Sequence, residues 1–344
     1  MLKIFMSNKF PLIEVSGDNY EIGYQMGKKL KKQISQTIKI PNNIAKAHEH
    51  FNINHFHNAA KRYLPYANKY FPEYIKELQG IADGSKQSFD DIWMLNTEEV
   101  LFDKYFDKCT TLIARNKKNI LIAHNEGFDK KFLDNMIVVK THIENGSSFL
   151  ALTFAGMICG YSISINSHGI TQLINSLDPK DVCVGIPKNF IARKALEMSS
   201  LKDIVNLQKI KERSSGYAYV FVKDNKVFSL ETTAKKYDLF EVKDNYFVHA
   251  NSYLSKLVKF SKPSPYSTKR VNHALGVFKK SPLIDESVLK NILSYRSKDV
   301  DICFHKSKHD DMTLASVLTV SGSNVLRISK GPACNNKYFE YSLY

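Results

Sequence analysis

Residues 108–129, KCTTLIARNKKNILIAHNEGFD, hold the reading from which the rest of the chain is built. Thr110–Arg115 alternates as a strand does, Asn116–Asn119 is a polar turn, and Ile120–Asp129 is a second strand ending in a polar knot. The turn is rich in Asn and Lys, as a hairpin tip requires. The alternation places Cys109, Thr111 and Ile113 on one face and Thr110, Leu112 and Ala114 on the other. A cysteine therefore opens a buried strand, and the hairpin returns His124, Asn125, Glu126 and Asp129 towards it. A thiol so placed is a candidate nucleophile; the plainer reading is a small buried hydrophobe.

Working back from the hairpin, residues 17–102 read as mostly helical. Residues 11–16 form a short strand, and Asp18 with Glu21 makes a capping box. The helix it starts is expected to run to Ile40 and stop at Pro41. Ile22, Met26, Leu30, Ile34 and Ile38 give it one apolar stripe. Gly23 and Gly27, four apart, let a neighbouring backbone approach closely. His48, His50, His55 and His57 crowd residues 42–62, but no carboxylate or cysteine joins them at ligand spacing, so a solvated helix end is expected there. A helix over 66–82 with Gly84 as its stop, and another after the capping Ser88, complete this half.

Forward from the hairpin, strands are expected at 134–143 and 148–155, then a pair turning at His168-Gly169. Two helices follow, in 186–200 and 201–210. Hairpins turn at Asp224-Asn225 and at Asp244-Asn245. Helices at 267–280 and 284–294 precede the strands DMTLASVLTV (311–320) and NVLRIS (324–329). Helices followed by a long run of strands, with helix pairs inside that run, indicate an α+β protein.

Composition narrows the classes. A chain of 344 residues with 43% hydrophobic content can bury a large core. No apolar run reaches the roughly 18 residues of a membrane span, and the N-terminal stretch lacks the apolar region of a signal peptide. The five cysteines are odd in number, widely spaced and without a CxxC pair. That argues against a disulfide framework or a zinc site and suits a reducing cytoplasm. The net charge of +15 would suit an anionic partner, but the lysines are dispersed and no nucleic-acid motif accompanies them. A solvated basic surface is the expectation, with no nucleic acid bound and oligomeric state left open.

The hairpin resembles the segment at which the acyl-coenzyme A:6-aminopenicillanate (isopenicillin-N) acyltransferase family, within the N-terminal nucleophile (Ntn) hydrolases, cuts its own chain. The likeness continues in order through IEVSGDNYEIGYQMGKKLKKQI (13–34), INSHGITQLINSL (165–177), GIPKNFIARKALE (185–197), VHANSYLS (248–255), SPYSTKR (264–270) and DICFHKSKHDDMTLASVL (301–318). The resemblance implies a four-layer αββα sandwich with an N-terminal helical segment. It implies cleavage between Lys108 and Cys109, dividing the chain into 1–108 and 109–344, co-folded as one unit. The freed α-amine of Cys109, with a pKa near ~8 against ~8.5 for the thiol, then serves as base for its own sulfur, so neither His124 nor His249 is required.

The same likeness makes Asn251 the oxyanion-hole donor and Asn125 a catalytic asparagine. Thr110, Thr111 and Asn175 become substrate contacts, with Asn166 as a further candidate. Ser267 and Arg270 would orient the cysteine or bind a substrate carboxylate. Two positions depart from the pattern. Where the family has an aspartate stands Gly127, leaving Glu126 or Asp129 to supply the carboxylate. Where the penicillin enzyme has glycine stands Lys108, whose β-carbon narrows the geometry of the scissile bond and predicts slow processing. The implied activity is cleavage or transfer of an acyl group from a linear amide without a cofactor, a coenzyme A thioester being admissible as donor. The rival readings are a choloylglycine-type amidase and an unprocessed binding protein of the same fold.

Overall fold

The structure, a computed structural model, describes residues 8–47, 53–101, 108–117, 119–261, 264–305, 311–335 and 337–344. The first half contributes β1 (Leu12–Gly17) and seven helices: α1 (Asn19–Lys29), α2 (Lys31–Ala47), α3 (Ile53–Lys61), α4 (Leu64–Tyr70), α5 (Pro72–Ser85), α6 (Phe89–Leu95) and α7 (Glu98–Leu101). Strands β2 (Thr110–Arg115), β3 (Ile120–Asp129), β4 (Met136–Ile143), β5 (Ser148–Phe154), β6 (Ser164–Asn166) and β7 (Thr171–Ser176) follow. After α8 (Lys188–Glu197) and α9 (Leu201–Leu207) come β8 (Tyr217–Lys223), β9 (Lys226–Thr232), β10 (Tyr237–Glu241) and β11 (Tyr246–His249). Helices α10 (Pro265–Lys280) and α11 (Glu286–Leu293) lead to β12 (Asp311–Val320), β13 (Val325–Lys330) and β14 (Tyr338–Ser342).

These strands form two sheets, one in the order β1-β4-β5-β6-β7-β8-β9-β10 and one in the order β11-β2-β3-β12-β13-β14. Their inner faces meet through Val138, Leu150, Leu152 and Val220 of the first sheet and Ile113, Ile122, Val317 and Ile328 of the second. The outer face of the first sheet (Ile137, Val139, Phe149, Tyr219) is covered by Ile22, Met26, Leu78, Trp93 and Phe190 from the helices. The outer face of the second (Leu112, Ala114, Ala123, Leu318) is covered by Ala274, Phe278, Leu289 and Ile292 of α10 and α11. The layers are thus helix, sheet, sheet, helix, the αββα architecture expected. Strand β1 pairs in parallel with β4, so residues before Lys108 build part of the first sheet as well as its helical cover. Among the described residues, no helix is long and apolar enough to cross a membrane.

The expected capping box stands: the Asp18 carboxylate accepts from the Glu21 amide, and Glu21 from the Asp18 amide. Gly23 and Gly27 do serve close approach, and their partners are Gly80 and Gly84 on α5. A β-carbon at Gly23 would lie 1.9 Å from the Glu77 carbonyl oxygen, and one at Gly84 2.2 Å from that of Tyr24. Gly84 therefore belongs inside α5 and does not stop it; Lys86, in the left-handed region, ends it.

Three other boundaries differ from expectation. The first helix breaks at Leu30, and Pro41 lies inside α2 instead of ending it. The expected 66–82 helix is two helices, divided at Phe71, because Pro72 has no N–H to continue the first and suits the first turn of the second. The segment around Asp244-Asn245 is no hairpin: β10 pairs with β9 in the first sheet, while β11 pairs with β2 in the second. The chain crosses between layers there, held by the Asn245 carbonyl accepting from the Arg115 amide at 2.7 Å. Strand β14 was not expected. His48 and His50 lie outside the described residues, and His57 pairs with Asp91 at 3.0 Å.

Candidate active site

Hairpin β2–β3 pairs Thr110 with Asn125 and Thr111 with His124. That register sets Cys109 beside Glu126 and Lys108 beside Gly127. Cys109 is buried, and its Sγ donates to Glu126 Oε1 at 3.5 Å. Glu126 Oε2 lies 3.4 Å from His124 Nε2, and His124 Nδ1 lies 2.9 Å from Thr111 Oγ1. The Thr111 hydroxyl donates to Asn175 Oδ1 on β7, across the sheet interface, at 2.7 Å. A hydroxyl has one proton, so Thr111 must accept from His124 Nδ1–H. His124 Nε2 then faces Glu126 Oε2. The sulfur thus faces a carboxylate whose other oxygen lies against an imidazole.

Burial pushes the Cys109 thiol well up, and the Glu126 charge adds to this; the Gly127 amide and the Arg270 guanidinium act in the opposite sense. In the continuous chain the thiol is protonated at neutral pH and needs a base.

The other side of Cys109 is held by α10. Arg270, wholly buried, donates through Nη1 to the Cys109 carbonyl oxygen and to Thr110 Oγ1 (2.8 Å), and through Nη2 to Asn251 Oδ1 (3.0 Å). That bond orients the Asn251 amide, whose Nδ2 gives one hydrogen to the Ser176 carbonyl at 3.0 Å and keeps a second for another acceptor. Ser267 Oγ accepts from the Asn251 backbone amide at 2.9 Å. Helix α10 can do this because Ser264 caps it and Pro265 begins it, so Ser267 and Arg270, three apart, share its buried face.

The structure therefore gathers Cys109, Thr110, Thr111, Glu126, Asn175, Asn251, Ser267 and Arg270. It does not bring in the remaining candidates. Asn125 points to the opposite face of β3 and donates to the Leu293 and Ile302 carbonyls at 2.9 and 3.0 Å, pinning the end of α11. Asp129 caps the short 3-10 turn Lys130–Asn135 through the Lys131 amide. Asn166 is consumed by the Leu196 and Met198 carbonyls and by the His168 and Ile170 amides.

The departures at Lys108 and Gly127 are one feature. A β-carbon on Gly127 would fall 2.4 Å from Lys108 Cβ and 2.8 Å from the Lys108 carbonyl oxygen. A side chain at 127 is thus excluded by the Lys108 carbonyl group as well as by its side chain. The Lys108 ammonium lies 5.2 and 5.0 Å from the Tyr266 and Phe304 ring centres.

His124, which the hairpin reading brings towards Cys109 without needing it as a base, contacts both Thr111 and Glu126. Two further residues escape the sequence reading. Glu231 is fully buried on β9; it accepts from the Leu254 and Ser255 amides and meets His249 Nε2 at 2.9 Å, fixing the loop that carries Asn251. Tyr161 is buried with its hydroxyl unpartnered among the described residues; burial raises its phenol, and the nearby Glu98, Glu126 and Cys109 add to the rise. The ligand-type atoms of Cys109, His124 and Glu126 lie within 4.8 Å of one another, but the Cys109–Glu126 and His124–Glu126 contacts already pair them.

The profile of the family described as acyl-coenzyme A:6-aminopenicillanic acid acyl-transferase matches residues 114–319, more than half of the chain and beginning five residues after Cys109. A β-alanyl-dopamine/carcinine hydrolase from Drosophila melanogaster is 25% identical over 229 residues, covering 58% of this chain. The chain spans 57% of that relative's length. Among solved structures, a variant of conjugated bile acid hydrolase from Clostridium perfringens aligns with 14% identity and a TM-score of 0.48, over 68% of this chain and 92% of that one. Penicillin V acylase from Agrobacterium tumefaciens aligns with 9% identity and a TM-score of 0.45, over 68% and 86%. Both structural likenesses are distant.

Proposed function

The chain belongs to the acyl-coenzyme A:6-aminopenicillanic acid acyl-transferase family, and from that premise we propose that it is a self-cleaving cysteine hydrolase or acyltransferase acting on a linear amide. The observation that carries the reading is the double hold on Cys109: its sulfur on the Glu126–His124 pair, its carbonyl on an arginine that also orients Asn251.

In the first step Glu126 takes the Cys109 thiol proton and the thiolate attacks the Lys108 carbonyl carbon. The Lys108 C–Cys109 N bond breaks, the nitrogen takes up the proton, and Lys108 becomes a thioester on Sγ. Water hydrolyses it, leaving a carboxylate on Lys108 and a free α-amine on Cys109. That amine then replaces Glu126 as base. In turnover the thiolate attacks the substrate carbonyl, the second Asn251 N–H meets the developing oxyanion, and the leaving amine departs with the proton. Water or an acceptor amine resolves the acyl-cysteine. No cofactor enters either step, and a thioester such as an acyl-coenzyme A could equally load the sulfur.

The tests are direct. Denaturing intact-mass analysis of the wild type is expected to give two fragments divided at Lys108–Cys109, and Cys109→Ala one uncut chain. Release of free amine is then assayed over a panel of N-acyl amines and N-acyl amino acids, N-β-alanyl amines among them in view of the Drosophila relative. Asn251→Ala is expected to lower kcat by about 10²–10³-fold. A wild-type chain that stays uncut, with Cys109 inert to thiol-directed acylating probes, would instead favour an unprocessed binding protein.

A further inference from the structure

Away from Cys109, three soft donors separated in sequence come together. Cys303 and His305 follow α11, and Cys334 lies in the 3-10 turn Ala333–Asn335 after β13. His305 Nε2 is 3.8 Å from Cys303 Sγ and 3.1 Å from Cys334 Sγ, and the three ligand atoms all lie within 4.8 Å of one another. Around a tetrahedral zinc-class ion, with metal–sulfur bonds of about 2.3 Å and metal–nitrogen bonds of about 2.0 Å, neighbouring donors stand roughly 3.5–3.8 Å apart. The two observed nitrogen–sulfur distances fall on either side of that spacing.

The backbone on both sides is already anchored. The Cys303 amide donates to Tyr295 O at 3.0 Å, the Phe304 amide to Thr313 Oγ1 at 2.9 Å, and the Gly331 amide to Leu314 O at 2.7 Å. Cys303 is fully buried and Cys334 exposed, so three protein ligands would close one side while the fourth position faces water. The linear spacing of the cysteines, with no CxxC pair, conceals all of this.

We propose that Cys303, His305 and Cys334 form a binding site for a thiophilic divalent cation of the zinc class. Binding would displace the two thiol protons into solvent, so affinity rises with pH. The ion would also fasten the turn after β13 to the segment carrying Phe304, whose ring lies over the Lys108 ammonium and 5.7 Å from the Arg270 guanidinium. A disulfide between the two cysteines is the competing chemistry; an imidazole nitrogen reaching both sulfurs favours the cation.

The test uses the full chain carrying Cys109→Ala, which removes the other thiol–imidazole group and makes the result independent of self-cleavage. Cobalt(II) is titrated into the reduced protein. The expected result is one equivalent bound, with a thiolate-to-cobalt charge-transfer band and tetrahedral d–d absorption, both bleached by zinc(II). The exposed Cys334→Ser, chosen because it leaves the core untouched, is expected to weaken binding by more than about 100-fold, and His305→Ala similarly. The proposal is overturned by the same band persisting in Cys334→Ser, or by no band in protein whose thiols titrate as reduced. It is equally overturned if Cys303 and Cys334 prove to be joined as a disulfide that cobalt(II) cannot displace.

Discussion

At the scale of single residues, Glu126 carries opposite effects that can be separated. Its negative charge raises the Cys109 thiol, so Glu126→Gln is expected to lower that pKa and speed alkylation of Cys109 at a fixed neutral pH. The same change removes the carboxylate that meets the sulfur before the α-amine exists, so self-cleavage is expected to slow by about 10²–10⁴-fold. Alkylation and cleavage that fall together would mean Glu126 merely supports the fold. The pair at 108 and 127 makes a second residue-scale prediction. In the Cys109→Ala background, Gly127→Asp is expected to destabilise by about 1–3 kcal/mol through overlap with Lys108, and Lys108→Gly to recover only the part due to the Lys108 side chain, because the overlap with the residue 108 carbonyl remains. Urea unfolding of the four proteins measures the coupling; additive effects would separate the two positions. Both departures were legible in the sequence, but their mutual dependence was not, because only the hairpin register sets position 108 against 127.

At the scale of elements, what was legible followed the rule of period two and the chemistry of caps. The β2–β3 hairpin, the Asp18 capping box, the Ser88 cap and the turn at Asp224-Asn225 all rest on neighbours a few residues apart, and all stand where expected. Asn245 shows the limit: an Asp-Asn turn between two alternating runs describes a hairpin equally well as a crossing between sheets, and only the partners β9 and β2 decide. Of the proposed site, the residues on β2 and α10 could be found because they lie in short local motifs, Cys109-Thr110 and Ser267-x-x-Arg270, that resemble those of the family. Glu231 could not, since nothing near it in sequence needs a carboxylate. Its partners are the amides of Leu254 and Ser255 and the ring of His249. Burial alone would raise the Glu231 carboxyl, but these bonds outweigh it and leave it below the ordinary value. A depressed folded value means the stabilisation is complete above the unfolded glutamate value of about 4.3 and is lost as pH falls below it. Glu231→Gln should therefore flatten that acid limb of the stability curve, cost on the order of 3 kcal/mol at neutral pH and loosen residues 250–255. Hydrogen exchange of the Leu254 and Ser255 amides reads this directly; unchanged protection would show that the loop is held by other means.

At the scale of the whole molecule, a cut at Lys108 would divide a structure that has no seam there. Residues before the cut supply β1, paired along its length with β4, and most of the helices over the first sheet. Two buried ion pairs cross the division: Glu77 with Arg193 at 3.1 Å, and Glu98 with Lys188 at 2.8 Å, the Glu98 carboxylate also accepting from the Tyr217 hydroxyl. Burying apolar surface stabilises at roughly 25 cal/mol per Å², and the shared core joins the helices before the cut to strands β4, β5, β7, β8 and β9 after it, so a broken peptide bond removes little of the total. The cleaved protein is therefore expected to migrate as one particle with the mass of the uncut 39.3 kDa chain and to separate only on unfolding. Native mass spectrometry of the wild type tests this against the denaturing spectrum of the same sample. Glu98→Ala sharpens the test, because it breaks the buried pair with Lys188 and removes the acceptor of the Tyr217 hydroxyl, at a cost of about 3–5 kcal/mol. If the two pieces act as one domain, the variant should lower a single cooperative transition for both. If instead the first piece is a removable cover, the variant should release it natively while residues 109–344 keep their own transition unchanged.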